Sequence, residues 1–220
     1  MNTTNVAVGI VDAQRGFMPA DEGQRLNVDG FGELPIERGQ RVVAPINKLL
    51  GAATLRSLVR FTTQDWHPRG TAHFAAEPNF ATTWPEHCVQ DTPGAEIHPD
   101  IKVPAGTVTI KKGNEVLARG EDDTSYSGAN GKTADGELLG DVLRERGVTE
   151  VVLGGLALDH CVKATALDLK KQGFDVFVAM DATAAVAKET GFDAIHELEK
   201  AGITLTTTAQ YLNRLEAMAA

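Results

Sequence analysis

Residues 150–171 read E-V-V-L-G-G-L-A-L-D-H-C-V-K-A-T-A-L-D-L-K-K, and the rest of the chain is interpreted around this stretch. Residues 151–153 form a short apolar, β-branched run, which is typical of a strand buried on both faces. A helical pattern follows two glycines, and Gly173 lies where a C-terminal cap belongs. Cys161 falls where the strand passes into the helix. Because a helix N-terminus favours a thiolate, we interpret Cys161 as a nucleophile, although a free cysteine is more often a small core residue.

The alternation of strand and helix patterns extends along the whole chain. Further strands are expected at 6–11, 58–63, 107–110, 174–180 and 203–206, and helices at 40–50, 134–146, 190–200 and from Ala209 onward. Such alternation implies right-handed crossovers and parallel strands with helices on both faces. We therefore expect an α/β fold of three αβα layers around a six-stranded, mostly parallel sheet, with residues 1–220 in a single domain.

Composition and charge exclude several classes of protein. The formal net charge of −9 argues against nucleic acid or an anionic membrane as a partner. No apolar run approaches the roughly 20 residues that a membrane span needs, and the N-terminus does not read as a signal peptide. Two cysteines without a pairing pattern favour the reducing cytoplasm. We expect a cytoplasmic protein with a small-molecule substrate, and the sequence leaves a homo-oligomer open.

Four side chains with acid–base or nucleophilic chemistry lie just past the ends of different predicted strands: Asp12, Asp65, Lys112 and Cys161. The ends of parallel strands open on one edge of the sheet, where ligands of α/β proteins bind. A cysteine nucleophile needs a proton acceptor and a group that stabilises charge, and Asp12 and Lys112 fit these roles. Burial is expected to raise the pKa of the aspartate, while the lysine and the helix N-terminus are expected to lower that of the thiol.

A second cluster gathers histidines beside one of these carboxylates. Asp65 and His67 share a face if the strand stays extended, and Pro68 and Gly70 would turn His73 back toward them. Three imidazoles, with His87 the third, and one carboxylate suit a divalent zinc, iron or manganese ion. The remaining histidines, His98, His160 and His196, are interpreted as structural.

The motifs around these residues resemble one known family. They are V-D-A-Q-R-G-F (11–17), D-W-H-P (65–68), W-P-E-H-C (84–88), K-G (112–113) and G-L-A-L-D-H-C-V-K-A-T-A-L-D (155–168). Together they resemble the nicotinamidase branch of the isochorismatase-like cysteine hydrolases, over nearly the whole chain. The resemblance implies the isochorismatase-like hydrolase fold and hydrolysis of nicotinamide to nicotinate and ammonia in NAD salvage, with pyrazinamide as a further substrate.

The resemblance also assigns roles to residues. It implies a catalytic triad and a metal site in which zinc holds the pyridine nitrogen; the triad is Asp12, Lys112 and Cys161, and the metal ligands are Asp65, His67, His73 and His87. Phe17 and Trp84 match aromatic residues that sandwich the pyridine ring. Leu156 is expected among the substrate-binding residues, with a cis peptide bond joining it to Ala157. The backbone N–H groups of Ala157 and Cys161 would form an oxyanion hole.

Two segments depart from the family pattern. The loop Ala20–Gly39 is longer and more acidic than expected, and D-D-T-S-Y-S-G-A (122–129) replaces a common D-S-Y-S-A-F stretch. Both are expected to border the pocket and so to bear on substrate breadth. Lys112 is preferred over Lys111 because it precedes the matching glycine, and Cys88 is expected in the core.

Three alternative functions use the same residues differently. In a metalloamidase, a metal-bound water would attack, but four protein ligands leave little room for it and Cys161 would be unexplained. A related cysteine amidase would act on another small amide or a carbamoyl compound. A non-enzymatic nucleotide-binding module would fit the fold, but no glycine-rich phosphate loop follows any predicted strand.

Overall fold

The computed structural model describes residues 5–19, 29–116 and 125–219. These residues form one sheet of six parallel strands in the order β3-β2-β1-β4-β5-β6. The strands are β1 (Val6–Val11), β2 (Val59–Asp65), β3 (Val108–Lys112), β4 (Glu150–Leu156), β5 (Asp175–Ala184) and β6 (Thr204–Thr206). The expected parallel α/β sheet is confirmed. It is parallel throughout these residues, where a mostly parallel sheet was expected.

Five α-helices pack on the sheet within the described residues. They are α1 (Val43–Leu55), α2 (Leu139–Glu145), α3 (Lys163–Lys171), α4 (Lys188–Lys200) and α5 (Thr208–Ala219). Helix α3 ends as the sequence predicts, since Gly173 has a φ of +94° and the N–H of Phe174 bonds to the carbonyl of Leu169 at 3.2 Å. None of the helices in these ranges combines the length and the apolar character needed to cross a lipid bilayer.

The two faces of the sheet carry separate hydrophobic cores. Alternate residues of β1 point to opposite faces, so Val8 and Ile10 pack with α1 and α5, whereas Ala7 and Val11 pack with α2, α3 and α4. Strands β1 and β4 are buried along their whole length. This burial explains their apolar runs without polar alternation, and it places both strands at the centre of the three layers.

The centre of the sheet is also its topological switch point. Strands β2 and β3 lie on one side of β1, and β4, β5 and β6 lie on the other. Gly155 allows β4 to approach β1 here, because a Cβ at this residue would come within 1.9 Å of the carbonyl oxygen of Val11. Ligands of open α/β sheets bind in the crevice at such a point, outside the carboxyl ends of the strands.

Several boundaries differ from those read from the sequence. Strands β2 and β3 run two residues further than expected, so Asp65 and Lys112 are the last residues of their strands and do not lie past them. Helix α2 begins only at Leu139, because the polar, glycine-containing segment before it forms turns. A π-helical turn, Leu158–Val162, precedes α3 and contains Cys161.

Candidate active site

The carboxyl ends of four neighbouring strands bring polar side chains to one edge of the sheet. Asp12 follows β1 with a φ of +43°, a left-handed conformation that is uncommon outside glycine. It is held there by β2: its N–H bonds to the carbonyl of Thr63 at 3.1 Å, and its Oδ1 accepts the hydroxyl of Thr63 at 2.6 Å. The aspartate therefore faces β3 and β4 in a fixed position.

Lys112 lies at the middle of this group. Its Nζ is 2.9 Å from Asp12 Oδ2 and 3.4 Å from Cys161 Sγ, and it also donates to Asp65 Oδ1. The side chains of Lys112 and Asp12 are 1% and 0% exposed. Removing one member of such a buried pair leaves a charge without compensation, which typically costs about 3–5 kcal/mol. The structure thus brings Asp12, Lys112 and Cys161 together, as the sequence predicts.

Burial dominates the proton affinities of the three groups. It raises the pKa of Asp12 above its usual range, with Lys112 opposing and Asp65 adding to the shift. Burial alone would lower the pKa of Lys112, but the carboxylates of Asp12 and Asp65 outweigh it and raise this pKa well above its usual value. The lysine therefore stays a cation.

The expectation of a lowered thiol pKa is wrong. Burial raises the pKa of Cys161 well above its usual value; Lys112 opposes this, while Asp12 and Asp65 add to it. The thiol therefore keeps its proton at rest and becomes nucleophilic only as a base takes that proton. Asp12, with its own pKa raised, is the adjacent group able to accept it.

The turn after β4 places the nucleophile at the wall of a cavity. The peptide bond between Leu156 and Ala157 is cis, as the resemblance implies. The N–H of Val162 bonds to the carbonyl of Ala157 at 3.0 Å, which closes the π-helical turn around Cys161. Ala157 and Cys161 both line the cavity, where their backbone N–H groups are the predicted oxyanion donors.

The three predicted histidine ligands form a compact cluster beside this group. The imidazoles of His67 and His73 stack with centroids 4.6 Å apart, and that of His87 lies 5.2 Å from His67 and 5.6 Å from His73. Each offers a nitrogen, and these three atoms lie within 4.8 Å of one another. Such a convergence of buried imidazoles is the donor set of a divalent metal site.

The hydrogen bonds of two of these rings orient them for a metal. Nδ1 of His67 lies 3.0 Å from the carbonyl of Gly113, and Nδ1 of His87 lies 2.7 Å from that of Pro85, so both Nδ1 atoms act as donors. Nε2 then carries the lone pair, and Nε2 of His67 is buried without a hydrogen-bond partner. Burial also lowers the pKa of His87 to about 3, which keeps this ring neutral and able to ligate. The residues fit a divalent metal ion.

Asp65 connects the histidines with the lysine. One carboxylate oxygen accepts from Lys112, and the other lies 3.7 Å from Nε2 of His67. Burial would raise its pKa, but Lys112 holds it well below the usual range, so it stays ionised. The predicted ligand therefore faces the histidine cluster with one oxygen and Lys112 with the other.

A glycine in the K-G motif makes room for the histidines. Gly113 has a φ of +64°, and a Cβ there would come within 2.5 Å of Cε1 of His67. Lys112 points into the site, whereas the Nζ of Lys111 lies 3.3 Å above the ring of Trp66. This alternation along β3 is the physical reason for preferring Lys112.

An apolar cavity of about 30 Å³, the front cavity, adjoins both clusters. The predicted aromatic residues Phe17 and Trp84 line it together with Leu34, Ile36, Ala157 and Val186, and His73, His87 and Cys161 reach it from the two clusters. Leu34 and Ile36 belong to the predicted pocket loop, of which residues 20–28 lie outside the described residues. Ser125 and Tyr126 of the second departing segment also line it, and residues 122–124 lie outside the described ranges.

Two residues have a place that the sequence did not predict. Leu156 does not line the front cavity, because its side chain turns from β4 into the core shared with α1, where it is fully buried. A substrate contact by Leu156 stays a prediction. His160 was interpreted as structural, yet it lines the cavity with its ring 5.0 Å from Trp84 and 5.7 Å from Tyr126. Its position next to Cys161 was the available signal.

Comparisons with known proteins cover nearly the whole chain. The isochorismatase domain model matches residues 6–210. The sequence is 34% identical over 204 residues to a nicotinamidase/pyrazinamidase of Mycobacterium tuberculosis, which covers 92% of this chain and 99% of that protein. A pyrazinamidase of Pyrococcus horikoshii in complex with zinc superimposes with a TM-score of 0.75 at 32% identity, over 92% of this chain and 99% of that one. PnC1 from L. infantum in complex with nicotinate gives a TM-score of 0.75 at 29% identity, over 94% and 95%.

Proposed function

The chain belongs to the isochorismatase family, and we propose that it is a nicotinamidase, an amidohydrolase that converts nicotinamide to nicotinate and ammonia. One observation carries the proposal: Cys161 lies 3.4 Å from Lys112 at the wall of an aromatic cavity that histidines of the second cluster also line. A relative of 34% identity is a nicotinamidase/pyrazinamidase, so pyrazinamide is expected as a further substrate. The reaction would serve NAD salvage.

The front cavity suits a flat heteroaromatic ring. Phe17 and Trp84 offer apolar faces, and the Nε1–H of Trp84 bonds to the hydroxyl of Tyr126 at 2.8 Å, which fixes the indole ring. His67, His73, His87 and Asp65 would hold the metal ion. Zinc is the proposed ion because imidazole and carboxylate donors suit it and a similar pyrazinamidase binds it. When bound, the ion supplies a Lewis acid that anchors the pyridine nitrogen.

Formation of a thioester follows from the positions of the three catalytic groups. Asp12 accepts the proton of Cys161, and Sγ attacks the carboxamide carbon. The N–H groups of Ala157 and Cys161 donate to the oxyanion, and each such donor typically contributes about 3 kcal/mol. Asp12 then transfers its proton to the leaving nitrogen as the C–N bond breaks, and ammonia departs. Lys112 stabilises the negative charge that alternates between Asp12 and Cys161.

Hydrolysis of the thioester uses the same groups in reverse order. A water molecule attacks the thioester carbon and gives its proton to Asp12. The C–S bond breaks, and the departing sulfur of Cys161 takes the proton back from Asp12. The second proton of the water stays on the product carboxyl group and is released to solvent as nicotinate leaves, and the thiol of Cys161 and the carboxylate of Asp12 return to their starting protonation states.

Ammonia release from nicotinamide tests this function directly. The wild type is expected to release ammonia, and Cys161→Ala is expected to lose turnover by a factor on the order of 10⁶, as when other enzymes lose a nucleophile. Cys88→Ala is the matched control, because Cys88 is a fully buried core thiol outside the catalytic group. Turnover that survives Cys161→Ala would remove the cysteine from the mechanism, and absence of ammonia with wild type would point to another small amide.

Three broader expectations accompany the function. A cytoplasmic location is supported by two free cysteines, one of them the nucleophile, which must stay reduced. A single domain over 1–220 is supported by one sheet that draws its strands from Val6 to Thr206. Sedimentation of the purified protein would test for the homo-oligomer that the sequence leaves open.

A further inference from the structure

A second cavity of about 120 Å³ borders the site at His67, Lys112 and Gly113, and we call it the rear cavity. Asn114, Glu115, Asn130 and Lys132 complete its lining among the described residues. Ser125 is the one described residue that lines both the front and the rear cavity. The rear cavity is thus a polar space that meets the aromatic one at a serine.

Size and chemistry make the rear cavity a reservoir for water. A cavity needs about 10–15 Å³ to hold one water molecule, so about 120 Å³ accommodates several. Amide, carboxylate and ammonium groups on its wall provide the two to four polar partners that each ordered water needs. The front cavity, at about 30 Å³, has room for about two water molecules by the same measure, and most of its lining surface is apolar.

Hydrolysis of the thioester requires a water molecule that can reach the thioester carbon. Once the pyridine ring of the acyl group lies between Phe17 and Trp84, it occupies the front cavity and closes that approach to the thioester carbon. The attacking water must then arrive from another direction. We propose that the rear cavity delivers this water to the Cys161 thioester past Ser125, an inference that rests on the proposed nicotinamidase function.

The wall between the two cavities is narrow at this serine. A Cβ on Gly113 would lie 2.5 Å from Cε1 of His67 and 3.1 Å from Cβ of Ser125, so glycine lets the histidine and the serine approach each other closely. Ser125 is 9% exposed, and its small side chain lines both cavities. The delivered water adds its oxygen to the thioester carbon and its proton to Asp12, and that proton leaves on the sulfur of Cys161 as the C–S bond breaks.

Substitutions of Ser125, which lines both cavities, and of Asn114, which lines the rear cavity, test the proposal. Ser125→Val adds bulk in the passage, Ser125→Ala removes the hydroxyl without adding bulk, and Asn114→Trp fills the rear cavity from an exposed residue that does not line the front cavity. Asn213→Trp is the matched control, since it makes the same change on the exposed side of α5. The fraction of Cys161 present as acyl-enzyme is measured by mass spectrometry after acid quenching during turnover of nicotinamide.

Restricted water delivery has a distinctive kinetic signature. Ser125→Val and Asn114→Trp are expected to raise the acyl-enzyme fraction. Asn114→Trp, which leaves the lining of the front cavity unchanged, is expected to lower kcat and KM together by about tenfold, with kcat/KM unchanged, because acylation precedes the slowed step. Ser125→Ala should give a smaller acyl-enzyme fraction than Ser125→Val, and Asn213→Trp should match wild type. An acyl-enzyme fraction in Asn114→Trp equal to that of wild type would overturn the proposal. Absence of ammonia release from nicotinamide by wild type would instead contradict the proposed function.

Discussion

The two groups of site residues are built in different ways. Asp12 and Cys161 follow the neighbouring strands β1 and β4, and Lys112 ends β3, which β2 separates from β1. His73 and His87 belong to the irregular segment between β2 and β3. The first group is placed by the sheet itself, and the second depends on the local folding of a loop.

Isolated β-bridges hold parts of the irregular segment between β2 and β3 in place. The N–H of His67 bonds to the carbonyl of Cys88 at 3.1 Å, and the N–H of Trp84 bonds to that of His73 at 2.9 Å. These bonds belong to isolated parallel bridges, His67 with Val89 and Phe74 with Trp84. Each bridge ties two parts of the histidine cluster together without a full strand, so a metal ion would add the remaining constraint.

The site therefore has a part that the sheet places and a part that depends on the fold of the histidine segment and on a metal ion. Asp65 connects the two parts, because its two oxygens face Lys112 and His67. Variants of the first group should lower turnover and leave metal binding intact, whereas variants of the second should lower metal affinity and leave the reactivity of the Cys161 thiol intact.

After Cys161→Ala, the largest effect is expected from Asp12→Asn. Asparagine has nearly the same shape and can still accept the Thr63 hydroxyl, but it takes no proton from Cys161, so kcat should fall about 10³-fold. Steady-state ammonia release and elemental metal content are the measurements. Metal content equal to that of wild type is expected, and a variant within tenfold of wild-type kcat would rule out Asp12 as the base.

A smaller effect is expected from His73→Ala. Loss of a ligand should lower metal affinity by at least about tenfold, since even the loss of a group that supports a ligand costs that much. Alkylation of Cys161 by iodoacetamide should proceed close to the wild-type rate, because Lys112 and Asp12 are unchanged. His196→Ala is the control, as the side chain of His196 is 79% exposed on α4. Equal loss of alkylation and metal would show that the two groups are not separable.

The activity that depends on Asp12, Lys112 and Cys161 should fall gradually as the pH is lowered. Asp12 must be ionised to accept a proton, and burial raises its pKa above 3.8, so activity is present above this raised pKa and is lost as pH falls through it. We expect kcat/KM to fall about tenfold per pH unit below that point, which lies above the usual aspartate range. Metal content measured at each pH separates this loss from dissociation of the metal. An acid limb at or below the ordinary aspartate value would contradict the pKa shift.

The sequence patterns predicted which residues meet at the carboxyl ends of the strands, and they predicted less completely which residues line the cavities. Buried β-branched runs identify β1 and β4, and parallel strand ends meet at one edge, so Asp12 and Cys161 could be placed together in advance. Contacts between residues far apart in the sequence cannot be read from local patterns. Val186, for example, lines the front cavity, and its N–H bonds to the carboxylate of Asp159 at 2.9 Å. The thiol pKa was missed for a similar reason, since it is a balance of opposing burial and charge effects that only distances decide.

The smallest effect is expected from Lys111→Met, which tests the two-sided alternation of β3. Lys111 and Lys112 are adjacent, yet one ammonium stacks on the ring of Trp66 at 3.3 Å and the other lies among Asp12, Asp65 and Cys161. Losing the first contact should lower the free energy of unfolding by about 1 kcal/mol, the usual strength of a cation–π pair, and leave kcat unchanged. Denaturant unfolding and ammonia release measure the two quantities. Trp66 lies between Asp65 and His67 in the sequence. A clear fall in metal content would therefore show that Lys111, through its contact with Trp66, also helps to position the histidine cluster.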